Sequence, residues 1–67
     1  MTANEKAFRD KLDTLTTPQI LALIDETWDT FIGGDFRAWG FDIIWDRLGE
    51  EESDRLYDKM WRKHHAA

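Results

Sequence analysis

Cysteine is absent, proline occurs once, and no apolar run approaches the length of a membrane-spanning helix. The first absence excludes disulfides and any metal site held by thiolates. The last excludes a helical transmembrane anchor within these residues. The opening MTANEKAFRDKL also has no apolar stretch of signal-peptide length. The expected setting is therefore soluble and cytoplasmic. Basic residues are missing too, from Leu12 to Phe36, a stretch that carries Asp13, Asp25, Glu26, Asp29 and Asp35. Phosphate recognition needs a basic footprint, so this acidic middle argues against direct contact with nucleic acid or an anionic membrane.

Catalytic signatures are equally scarce. No glycine-rich phosphate loop, GxSxG elbow, HExxH helix or zinc-ligand spacing occurs. Asp42 with Asp46, or Glu50 to Glu52, could be offered as magnesium ligands or an acid/base pair. Carboxylates without a nucleophile or phosphate cradle specify no reaction. His64 and His65 are adjacent and diverge by about 100° on a helix, so they do not converge on one metal. Their expected role is to meet the carbonyls at a helix C-terminus. No catalytic residue, cofactor or metal is expected.

What is present is apolar and aromatic: 42% of the 67 residues are hydrophobic and 13% aromatic, with four Trp and four Phe. That content is too high for a disordered chain, although 34% of residues are charged. One domain, residues 1–67, is expected. A chain this small buries only about 60% of its unfolded surface, so extra support from partners or close helix packing is anticipated.

Periodicity predicts an all-α bundle of three to four short helices. Thr2 and Glu5 have capping-box spacing, and Phe8, Leu12 and Leu15 follow at helical intervals, giving a first helix over about residues 3–15. Thr16 or Thr17 then serves as N-cap, with Pro18 in the first turn. The second helix, expected to be central, carries Ile20, Leu21, Leu23, Ile24, Trp28, Phe31 and Ile32 up to a stop at Gly33 and Gly34. Asp35 is the expected N-cap of a third helix, whose stripe Phe41, Ile44, Trp45 and Leu48 forms its core face before Gly49 ends it. The last helix runs from the acids of EEES to the bases of RKHH, with Leu56, Tyr57, Met60, Trp61 and His64 on its apolar side. Asp precedes Trp by three residues in DETW, DIIW and DKMW, but the segments share little else, so no repeat is inferred. No alternation typical of strands is seen.

The third segment, GGDFRAWGFDIIWDRLG, raises the functional question. On a helical wheel Phe36, Trp39 and Ile43 lie roughly opposite the main stripe, flanked by Asp42 and Asp46. One reading starts the helix only near Gly40, which folds Phe36 and Trp39 back under the core. The other makes Phe36, Trp39 and Ile43 the contact residues of a binding surface, with Asp42 and Asp46 as a charged rim that selects a basic partner. On the second reading Trp39 anchors the partner while Trp45 is core.

The expected function is thus non-catalytic binding of another protein, as an inhibitor or adaptor. A homodimer is also anticipated, with Arg55, Lys59, Arg62 and Lys63 of the last helix facing the acidic second helix of a neighbouring copy. Two alternatives stand beside this. The second helix, with Asp25 and Asp29 one turn apart, could act as an acidic decoy that imitates DNA, or the chain could be a small helical enzyme subunit or metal site. No motif assigns the chain to a family. In size, acidity and aromatic load it resembles the small accessory proteins that phages and mobile elements encode to inhibit host proteins.

Overall fold

The computed structural model describes residues 3–66, and within them the backbone forms four helices and no strand: α1 (Ala3–Asp13), α2 (Thr17–Thr27), α3 (Gly33–Leu48) and α4 (Glu50–His65). The all-α bundle is therefore as expected. The Thr2 capping box lies outside the described residues.

Local chemistry explains the first boundary. Helix α1 stops at Asp13 as Thr14 and Leu15 turn back on Lys11 and Leu12, and the Thr14 hydroxyl donates to the Lys11 carbonyl at 2.6 Å. A reciprocal capping box opens α2: the Gln19 amide donates to Thr16 Oγ1 at 3.2 Å, and the Thr16 amide donates to Gln19 Oε1 at 2.9 Å. Arg47, near the end of α3, donates to the Asp13 carbonyl at 2.8 Å and to Thr17 Oγ1 at 3.3 Å, so a distant cation secures the α1–α2 link.

The second boundary departs from expectation. Helix α2 ends at Thr27, leaving Phe31 and Ile32 outside it. The Thr27 carbonyl accepts from the Thr30 amide at 3.0 Å and from the Thr30 hydroxyl at 2.7 Å, and Arg37 donates to the Trp28 carbonyl at 2.9 Å, so carbonyls that would continue the helix are satisfied otherwise. Gly33 and Gly34 begin α3 instead of ending α2, and Asp35 sits in the first turn without capping it. At Gly33 the chain doubles back so tightly that a Cβ would lie 2.0 Å from the Thr27 carbonyl oxygen. Left-handed backbone occurs only at Gly49 among the described residues, with φ of 88°, and it makes a one-residue link between α3 and α4.

Helix α3, not α2, is the centre. It runs unbroken through Gly40, and α1, α2 and α4 each pack on it. Gly40 explains how α2 comes so close, because a Cβ there would be 2.6 Å from Ile24 Cδ1 and 3.0 Å from Ile20 Cγ2. Phe36 and Ile43 are buried on one side of Gly40, Ile44 and Phe41 on the other. With Leu12, Ile20, Ile24 and Trp28 they form one core. The expected stripe is therefore half right: Phe41 and Ile44 are buried, whereas Trp45 and Leu48 are 48% and 44% exposed. Three neighbours cover an arc of α3 centred on Gly40, and Trp45 falls at its far margin.

Helix α4 shows the expected dipole complement, with Glu50, Glu51 and Glu52 in its first turn and Arg62, Lys63, His64 and His65 in its last. Leu56 and Met60 pack on the core, while Tyr57 and Trp61 remain substantially exposed. No helix among the described residues is long and apolar enough to cross a membrane.

Candidate interaction surface

The five residues expected to make contact separate into two groups. Phe36 and Ile43 are buried beneath α1, as parts of the chain's own core. Trp39 is partly buried and reaches the surface, and Asp42 and Asp46 are exposed. One turn before Ile43, the Trp39 indole meets Phe8 of α1 with ring centroids 5.5 Å apart, and Phe8 meets Phe36 at 5.1 Å. Phe8 thus bridges a buried ring and a surface ring.

Together with Ile32 these rings wall a hollow of about 250 Å³ between the start of α3 and α1. Phe8 is 39% exposed and Ile32 48%, and the adjacent Phe31 is fully exposed. Asp35 and Glu5 stand at the edge of the hollow. Asp42 pairs with Arg9, and Asp46 lines a neighbouring polar recess with Arg9 and Arg47, so the acidic rim lies beside the hollow but is partly neutralised there. Sequence reasoning missed Phe8 and Ile32, having assigned both to the core stripes of the first two helices. No local signal marked either residue, because the end of α2 at Thr27 and the seating of Phe8 against Phe36 and Trp39 arise only from contacts between helices.

A second cluster joins α2 to α4. Asp25 Oδ2 accepts from Lys63 Nζ at 2.7 Å, and Asp25 Oδ1 lies 2.6 Å from His64 Nε2. The His64 ring stacks on Trp28 at 4.6 Å and 5°, while the Arg37 guanidinium lies 4.3 Å from the Trp28 ring centroid. Hydrogen bonds from Lys63 first and His64 second hold the Asp25 carboxyl below its ordinary value of 3.8, outweighing desolvation. Of the two histidines, only His65 plays the anticipated part, with its Nδ1 2.8 Å from the Trp61 carbonyl oxygen and its ring stacked on Trp61 at 4.0 Å. His64 instead reaches across to the acidic helix.

The same cluster changes the charge argument for α2 and α4. Lys63 faces Asp25 of its own chain, Arg55 pairs with Glu52, and Arg62 pairs with Asp58 at 3.0 Å. Arg55 also holds the Glu52 carboxyl below its usual range. Of the four bases expected to face a neighbouring copy, only Lys59 has no ion-pair partner among the described residues. Chemically, the Asp25 cluster is a clasp between two helices. No group of three or more His, Asp or Glu positioned for a metal ion occurs among the described residues.

No family model matches the chain, and no curated protein and no solved structure matches it.

Proposed function

We propose that the chain is a non-catalytic protein-binding module that seats a basic, amphipathic segment of another protein in the hollow beside Trp39. The observation that carries this reading is the convergence of Phe8, Ile32 and Trp39 around an open apolar hollow with Asp35 at its edge. Apolar surface that a small chain leaves open, rimmed by charge, is the ordinary composition of a binding patch. Trp is among the residues most often dominant in such contacts, and a carboxylate rim favours basic partners and hastens their encounter. A cytoplasmic inhibitor or adaptor, of the accessory type that phages and mobile elements encode, fits a chain of this size and acidity. The hollow lies away from the acids of α2, and Asp25 is already engaged by α4, which favours this reading over a DNA-mimicking decoy.

The test uses a labelled helical peptide with leucines at i, i+3, i+4 and i+7 and flanking lysines, followed by fluorescence anisotropy. The parent chain is expected to bind it. Trp39→Ala is expected to weaken binding by about 2 kcal/mol, the usual cost of removing an anchor, and Asp35→Lys to weaken it further as salt dependence falls. Equal binding by parent and Trp39→Ala, with both variants folded by circular dichroism, overturns the reading.

A further inference from the structure

On the opposite side of the charge balance, we infer that the groove between α2 and α4 is a second docking surface, which receives an acidic amphipathic helix of another protein. Helices α2 and α4 both pack on α3 but are not packed closely on each other. The space between them is an open groove of about 470 Å³. Its apolar floor is made by Leu21 and Ala22 of α2 and by Leu56 and Met60 of α4. Leu21, Leu56 and Met60 are only partly buried, so the floor remains open to a further layer. A channel bounded by two helices suits the side chains of a third, whose anchors recur at i, i+3, i+4 and i+7.

Charge chooses among the possible occupants. Two lysines one turn apart on α4, Lys59 and Lys63, line the groove. Among the described residues Asp25 is the one acid on its wall, and it is already bound by Lys63 and His64. Lys59 has no ion-pair partner among the described residues. In a chain whose formal net charge is −5, this is a local basic edge over an apolar floor. A second copy docking groove to groove would bring the lysines of both copies together, which disfavours a symmetric pair. An acidic flank on an incoming helix would answer Lys59 directly. The inference goes beyond the hollow beside Trp39: the two surfaces differ in elements, residues and sign, so the molecule can bridge a basic partner and an acidic one.

The experiment titrates ¹⁵N-labelled protein with two peptides of about 14 residues, a length that forms a stable helix only when docked. Both carry the same leucine pattern, one flanked by glutamates and the other by lysines. The glutamate peptide is expected to shift the amides of Leu21, Ala22, Leu56 and Met60 and to bind there about ten-fold more tightly than the lysine peptide. Lys59→Glu is expected to weaken the glutamate peptide about ten-fold. Ala22→Glu, an exposed helix position that narrows the groove, is expected to do the same, and Lys11→Glu, an equal charge change on α1, to do nothing. Equal affinity for the two peptides at the groove overturns the proposal. So do shifts confined to other residues, insensitivity to Lys59→Glu, self-association through the groove, or occupation by dodecanoate but not by the peptide. Binding at the Trp39 hollow is read with the lysine peptide and with other amides, so the two surfaces can fail separately.

Discussion

Two residues of α3 show how much a single position on a helix is worth. Ile44 is fully buried among the core residues, and Ile44→Ala removes its packing with little room for collapse, at an expected cost of about 2–5 kcal/mol. Its neighbour Trp45, one position on, is 48% exposed, so Trp45→Ala is expected to cost clearly less despite deleting a larger side chain. Thermal melts of both variants beside the parent check the order, and a greater loss from Trp45→Ala contradicts this description of the core. Gly40 makes the converse point. Alanine improves helix propensity by about 1 kcal/mol over glycine, yet here the added methyl must enter space held by Ile24 and Ile20. Gly40→Ala is therefore expected to lower stability by about 1–3 kcal/mol through overpacking. A rise in melting temperature would show that α2 can move away from α3 at small cost.

Helices and their ends were legible in the sequence to different degrees, for reasons that are local or not. The cap at Thr16, one of the two threonines expected there, and the Gly49 stop were readable because each is local, whereas the reciprocal bond from Gln19 was not anticipated. The end of α2 was not, because it depends on Arg37 capturing the Trp28 carbonyl, nine residues away along the chain. Likewise, a helical wheel gives the angles between Phe36, Trp39, Ile43 and Trp45 but not which angle faces a neighbour. The close approach of α2 at Gly40 settles that, so Phe36 and Ile43 turn inward and Trp45 outward. Of the expected contact surface, Trp39 and the two aspartates reach solvent, while Phe8 and Ile32 join only through tertiary structure. The clasp between α2 and α4 is testable at this scale. Since the Asp25 carboxyl is held below its ordinary 3.8, its contribution to stability is present above that value and is lost as pH falls through the lower, folded one. Asp25→Asn is expected to melt below the parent near pH 6. The gap should close as both are acidified below pH about 3.8, the ordinary carboxyl value. A gap that stays constant to pH about 2 contradicts a stabilising role for the ionised carboxylate.

At the level of the whole molecule, charge separates two kinds of association. A homodimer formed through the Trp39 hollow would bring the Asp35 side chains of two acidic chains together, so added salt should strengthen it. Binding of a lysine-flanked peptide to the same hollow should weaken over the same range. Sedimentation velocity and anisotropy between about 50 and 300 mM salt are expected to move in opposite directions, and parallel trends would mean that different surfaces are in use. The star-shaped arrangement around α3 also governs how the molecule comes apart. Helix α1 has the least extensive contact with α3 of the three, and its cross-links at Arg9–Asp42 and Asp13–Arg47 lie near the surface. The cheapest opening is thus a lifting of α1 alone, and its amides should exchange with deuterium well before those of α3. In that brief excursion Phe8 leaves with α1 and the hollow is lost, while Phe36 and Ile43 lose their cover beside Trp39, so a narrow recess gives way to a broader and flatter apolar strip along α3.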